Sequence, residues 1–70
     1  MSIVTKNVSN YVKSKGINLS LMSRKTNIPY GVLIASLGEN PRDRELRADE
    51  FLAICGFLEI NPLDFAGKKE

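Results

Sequence analysis

The chain has 70 residues, of which 43% are apolar, ten are basic and eight are acidic, and its formal net charge is +2. This length predicts one domain with a small hydrophobic core. A single cysteine, Cys55, and the absence of histidine exclude a disulfide framework and argue against a structural zinc site. No apolar run is long enough to span a membrane, and no secretion signal opens the chain, so we expect a cytoplasmic protein without membrane contact.

The charged residues are unevenly distributed along the chain. Residues 1–38 contain five basic residues and no acidic residue, whereas residues 39–70 contain five basic and eight acidic residues. This asymmetry is typical of a domain that turns its basic half toward a polyanion. The alternative interpretation is that the five cations form an ordinary solvated surface.

Residues 5–15 are predicted to form a first, amphipathic helix. Apolar side chains recur at helical spacing in and next to this segment, with polar residues between them: Val4, Val8, Tyr11 and Val12. Gly16 is predicted to end the helix and Ile17 to pack into the core. Asn18 is predicted to cap a second helix, because its side chain can accept a hydrogen bond from an amide of the first turn.

The central stretch predicts two short helices joined by a tight turn. The first runs from Leu19 to Thr26, with Met22 facing the core and the small Ser23 where the helices cross. Asn27 is predicted to adopt the left-handed conformation that ends a helix abruptly. The second helix is predicted from Pro29 to Leu37, because the fixed φ of proline suits a first helical position.

The second helix of this pair is predicted to have an apolar outer face. Three consecutive apolar residues, 32–34, cannot all face the core, because successive helical residues are about 100° apart. Placing Leu33 and Leu37 in the core leaves four residues on the outward face: Tyr30, Gly31, Ile34 and Ala35. This face fits thymine methyl groups and a hydroxyl contact from Tyr30 in DNA, and it also suits a protein partner. Deeper burial of the whole helix is a further alternative.

Residues 39–45 are predicted to form a polar loop that is too charged to enter the core. Arg42 and Arg44 either clamp a phosphate or pair at the surface with Asp43 and Glu45, and surface pairs of this kind contribute little stability.

Two further helices are predicted after this loop. The first spans residues 47–58, and its buried stripe contains Phe51, Ile54, Cys55 and Leu58. A short last helix begins at Asn61-Pro62, and Leu63 and Phe65 either close the core or meet a second subunit. Cys55 is interpreted as a small hydrophobe, because no histidine can act as its base. We therefore expect no catalytic residue, metal site or cofactor, and no enzyme activity.

The central stretch resembles the helix-turn-helix of the phage repressor and Cro family, also called the xenobiotic-response-element family. The residues that carry this resemblance are Met22, Ser23, Asn27, Ile28, Leu33 and Leu37, followed by 46–51, Ile54, Leu58 and 60–62. The resemblance covers roughly residues 4–66. It implies an all-α, five-helix, single domain over residues 1–70, with the helix-turn-helix at about 19–38 and a flexible tail at about 67–70.

This sequence departs from the family pattern at three places. Leu19 stands where glutamine is frequent, and Glu59 stands where glycine is common. The recognition helix, which is the second helix of the motif, contains no Arg, Lys, Gln or Asn.

The resemblance implies a small sequence-specific transcriptional regulator that binds double-stranded DNA as a homodimer. The predicted contact residues are Lys15, Asn18, Arg24, Lys25, Tyr30, Gly31, Ile34, Ala35, Arg42 and Arg44. The apolar recognition helix supports an alternative function, a protein-interaction module such as a modulator or antirepressor that binds a partner repressor. This alternative uses Tyr30, Gly31, Ile34 and Leu21.

Overall fold

The computed structural model describes residues 2–38 and 44–66. These two ranges contain four α-helices, one 3-10 helix and no strand. The elements are α1 (Ile3–Lys15), α2 (Leu19–Thr26), α3 (Tyr30–Leu37), α4 (Ala48–Leu58) and the 3-10 helix η1 (Pro62–Phe65). The predicted all-helical class is confirmed, although the last predicted helix is a 3-10 helix of four residues. Arg42, Asp43 and the predicted tail at 67–70 lie outside the described residues.

The first helix begins two residues earlier than predicted. Ser2 caps it, and the Ser2 hydroxyl oxygen accepts a hydrogen bond from the Thr5 backbone N–H at 3.2 Å. At the other end Gly16 has φ +65°, and the Ile17 N–H donates to the Val12 carbonyl at 3.0 Å. Glycine suits this left-handed position because it has no Cβ to clash with the backbone. Gly16 therefore ends the helix as predicted.

Two hydroxyl side chains of α1 are buried, and the apolar pattern did not identify them. Ser9 is one of the polar residues between the predicted apolar positions, yet it is buried, because serine is small enough to be enclosed between packed helices. Thr5 is also buried, and its hydroxyl oxygen accepts hydrogen bonds from the Leu46 N–H at 3.1 Å and from the Ser2 hydroxyl at 3.1 Å. These bonds attach the start of α1 to the segment that precedes α4.

The core lies where the helices meet. α1 packs against α3 and η1, α2 packs against α3 and α4, and α4 packs against η1. The buried apolar residues are Val8, Val12, Met22, Ile28, Leu33, Leu37, Ile54, Cys55 and Phe65. The ring of Phe65 meets Tyr11 and Phe51 edge-on, with centroids 5.7 and 6.1 Å apart. Phe65 thus closes the core, whereas Leu63 remains 76% exposed.

The fourth helix begins one residue later than predicted, with Arg47 as its N-cap. A Glu50 carboxylate oxygen accepts the Arg47 N–H at 2.9 Å and so satisfies a backbone donor at the helix start. The helix ends at Glu59, where φ is +59°, and the Ile60 N–H donates to the Cys55 carbonyl at 3.1 Å. A left-handed residue other than glycine costs about 1–2 kcal/mol, so the chain accepts local strain at Glu59.

Candidate functional site

A set of side-chain hydrogen bonds fixes the turn between α2 and α3. Asn27 adopts the predicted left-handed conformation, with φ +63°, and its N–H donates to the Ser23 carbonyl at 2.9 Å. The Ser23 hydroxyl donates to the Ile28 carbonyl at 2.6 Å. The Thr26 hydroxyl donates to the Met22 carbonyl at 2.7 Å and accepts the Ile28 N–H at 3.3 Å. Ser23 was predicted only for its small size; its hydroxyl also helps to hold the two helices in one orientation.

The third helix starts one residue later than predicted. Pro29 has ψ 139°, so it is the N-cap, and its carbonyl accepts the N–H groups of Val32 at 3.0 Å and Leu33 at 3.2 Å. Proline has no side chain that can cap the helix. The N–H groups of Tyr30 and Gly31 have no acceptor in the part of the chain that the structure describes. Two backbone donors at the start of α3 are therefore left without a partner among the described residues.

The predicted orientation of α3 is confirmed. Leu33 and Leu37 are 0% and 1% exposed, whereas Tyr30 and Ile34 are 52% and 36% exposed. The alternative of a more deeply buried helix is therefore wrong for these two outward side chains.

Gly31 and Ala35 complete the outward surface of α3. Gly31 is exposed, and no heavy atom lies within 4 Å of the place that a Cβ would occupy. Ala35 is half-buried. We call the surface formed by Tyr30, Gly31, Ile34 and Ala35 the α3 outer face.

An apolar groove of about 270 Å³ borders the α3 outer face. It is lined by Val12, Lys13, Gly16, Ile17, Leu19, Ile34, Leu37 and Gly38. Leu19 is half-buried and packs against the core. At the end of α3 the backbone of Gly38 lies close to that of Ile34. Only glycine fits there without a shift, because a Cβ would lie 2.6 Å from the Ile34 carbonyl oxygen.

All five basic residues of the N-terminal half are exposed, and none forms an ion pair in the described ranges. The Lys15 ammonium lies 5.9 Å from the ring centroid of Tyr11, a residue that packs on η1. Lys13 instead lines the groove beside Ile34. Lys15, which the sequence predicted as a contact residue, therefore lies on the side of α1 that faces η1, whereas Lys13 lies beside the α3 outer face.

The second helix presents three of the predicted contact residues. Arg24 and Lys25 are exposed in its last turn, where cations favourably meet the negative end of the helix dipole. Asn18 caps its start, and the side-chain oxygen accepts the Leu21 N–H at 3.1 Å, as predicted. The Asn18 amide nitrogen has no acceptor within the described residues, so it remains a possible donor to a ligand.

The guanidinium of Arg44 is engaged inside the fold. It donates to both carboxylate oxygens of Glu50, at 2.9 and 3.1 Å, and lies 3.4 Å from the hydroxyl of the buried Ser36. The hydrogen bonds from Arg44 lower the pKa of Glu50. The carboxylate that pairs with Arg44 is therefore that of Glu50, and not that of Glu45 as the surface-pair alternative predicted. The other predicted phosphate clamp, Arg42, lies outside the described residues.

The carboxylate of Glu45 holds the start of the chain against the segment before α4. Its two oxygens accept the Ser2 backbone N–H at 2.8 and 2.7 Å. This backbone hydrogen bond is the largest cause that lowers the pKa of Glu45 to about 2. Glu45, like Glu50, therefore acts as an acceptor in the fold.

The described residues contain no group of three metal-ligating side chains. Cys55 is buried, and burial raises the pKa of its thiol, which disfavours the reactive thiolate.

None of the helices in the described ranges has the length and apolar character needed to cross a membrane.

A scan against family models, a search of curated proteins and a search of solved structures each found no significant match.

Proposed function

We propose that α2, the turn and α3 form a helix-turn-helix, and that the chain belongs to the class of helix-turn-helix domains. The support for this class is local and geometric. Asn27 ends α2 in the left-handed conformation, the Ser23 hydroxyl bonds across the turn, and Met22 and Leu33 are fully buried between the helices. The outward surface of α3 is thereby held in a fixed direction.

Within this class, we propose that the chain is a sequence-specific transcriptional regulator of the phage repressor and Cro type. It binds double-stranded DNA, as a dimer on a two-fold operator, with α3 in the major groove. One observation carries this proposal: an outward helix face lies in a segment of exposed cations without any acid. DNA places phosphates on both sides of the groove that such a helix enters.

Each group of the site has a distinct task in this proposal. Lys13, Arg24 and Lys25 contact phosphates, and the N–H groups of Tyr30 and Gly31 donate hydrogen bonds to a phosphate oxygen at the start of α3. These contacts position the domain without reading sequence. Sequence is read by the side chains of the α3 outer face.

The first test is a titration of the chain with random-sequence duplex DNA at low and moderate salt. We expect binding at low salt that weakens as salt rises, because each phosphate contact releases counterions. The absence of binding at low salt would refute the proposal.

A second function, docking on a partner protein, is favoured by the apolar groove next to the exposed Ile34. The substitution Ile34→Lys separates the two functions. On DNA the added charge maintains or raises non-specific affinity while sequence preference changes. In a protein interface it buries an unpaired ammonium and costs several kcal/mol. A chain that fails to bind DNA, and captures a partner repressor that Ile34→Lys loses, would establish this second function.

A further inference from the structure

The α3 outer face has very little hydrogen-bonding capacity in its side chains. The helix reads Tyr-Gly-Val-Leu-Ile-Ala-Ser-Leu, and its polar side-chain groups are the Tyr30 phenol and the Ser36 hydroxyl. Ser36 is 0% exposed and faces the interior. The side chains that the α3 outer face presents to a ligand are therefore the phenol of Tyr30, the aliphatic chain of Ile34 and the methyl of Ala35. At Gly31 the face presents only backbone.

Base edges in the major groove differ in the hydrogen-bonding and apolar groups that they present to such a face. Guanine presents two acceptors and cytosine an amino donor, whereas thymine presents an acceptor and the apolar C5-methyl group. An aliphatic side chain pressed against guanine or cytosine leaves those polar groups without a partner, which is unfavourable. The same side chain gains contact area against a thymine methyl.

Gly31 adds a second, independent indication. The fold does not require glycine there, because its φ lies outside the left-handed region and a Cβ would meet no atom within 4 Å. Glycine also weakens a helix relative to alanine. Its missing side chain allows a close approach to the helix beside Ile34, on the exposed side of α3.

From these observations, and resting on the proposed function, we infer that α3 recognises 5-methyl groups of pyrimidines in the major groove. The ligand class is thymine-containing duplex DNA, and the reading residues are Gly31 and Ile34. Tyr30 adds a hydroxyl contact at the same surface. Affinity therefore depends on the methyl group itself and not only on the A·T pair.

Three forms of one random-sequence duplex pool test this inference, because they differ only in pyrimidine methyl groups. The first contains thymine and cytosine, the second uracil and cytosine, and the third uracil and 5-methylcytosine. Their phosphate charge is identical, so the salt-dependent part of binding is the same for all three. We expect the uracil pool to bind at least about fourfold more weakly, the equivalent of one buried methyl group. The 5-methylcytosine pool should recover part of that loss.

Variants assign the effect to α3. Ile34→Ala should reduce the ratio of thymine-pool to uracil-pool affinity toward one. Leu52→Ala is the matched control, because Leu52 is an equally large, 57% exposed hydrophobe on α4, and it should keep the wild-type ratio. If Ile34→Ala does not fold, as judged by its thermal unfolding, Gly31→Ala replaces it, because a Cβ there meets no atom of the chain within 4 Å but blocks the close approach of the base, so the ratio should again move toward one.

The outcomes separate this inference from the proposed function. Salt-dependent binding with equal affinity for the thymine and uracil pools overturns the inference and leaves DNA binding standing. A ratio that Leu52→Ala changes as much as Ile34→Ala also overturns it. Failure to bind any of the three pools refutes both proposals.

Discussion

The two halves of the molecule use their charged side chains for different purposes. In residues 2–38 every lysine and arginine is exposed, and none is ion-paired within the described chain. In residues 44–66, Arg44 and Glu50 form a bidentate ion pair, and the Glu45 carboxylate accepts a hydrogen bond from the N–H of Ser2. The C-terminal half therefore uses several of its charges to hold the fold. The N-terminal half leaves its five cations and Ile34 exposed, and the proposed function assigns these groups to contacts with DNA.

The largest effect that tests this contrast comes from the two faces of α3. Leu33→Ala should lower the free energy of unfolding by about 2–5 kcal/mol, because Leu33 is fully buried and the substitution leaves a cavity. Ile34→Ala should cost less than about 1 kcal/mol, since its side chain already meets solvent. Denaturant unfolding of both variants measures the difference. Equal losses would show that the outward surface of α3 is needed for folding.

A smaller effect is expected from the polar contacts of the C-terminal half. Glu50→Ala should lower the free energy of unfolding by about 1–2 kcal/mol, because Arg44 loses its partner and the Arg47 N–H loses its acceptor. Arg24→Ala is the matched control in the N-terminal half and should change it by less than about 0.5 kcal/mol. If Arg24→Ala destabilised the chain as strongly, the proposed division of tasks would be wrong.

Acid should weaken the fold through the C-terminal half alone. The pKa of Glu45 is lowered to about 2 and that of Glu50 is also lowered, from an ordinary value of 4.5. Carboxylates with lowered pKa values stabilise the fold fully above their unfolded pKa, and this stability is lost as pH falls through the folded value. The midpoint temperature of thermal unfolding should therefore decrease as the pH is lowered from about 4.5 to about 2. Glu45→Gln should make this fall shallower, and an unchanged pH profile would contradict the assignment.

The sequence predicted the helices and the orientation of α3 because both follow from local rules. Gly16 and Asn27 end helices in the left-handed conformation, and Leu33 and Leu37 occupy one helical face. The start of α3 was misplaced by one residue, because a proline suits both an N-cap and a first helical position.

The contacts that depend on tertiary structure were not predictable. Nothing in the local sequence indicates that Arg44 pairs with Glu50 across the start of α4, or that the Thr5 hydroxyl accepts the Leu46 N–H 41 residues away. The choice between Lys13 and Lys15 likewise depends on which side of α1 packs on α3. Periodicity placed the apolar stripe of α1, but not the neighbours of each lysine.

The salt dependence of DNA binding tests the central claim, that the exposed cations of the N-terminal half contact phosphates. We would measure the slope of log affinity against log salt for wild type, for the double variant Arg24→Gln, Lys25→Gln, and for Arg47→Gln as an exposed control on the α4 side. We expect the double variant to flatten the slope by about 0.9 for each lost contact and to weaken binding to all sequences alike. Arg47→Gln should keep the wild-type slope. A slope that the double variant leaves unchanged, or that Arg47→Gln flattens equally, would show that these cations do not contact phosphates.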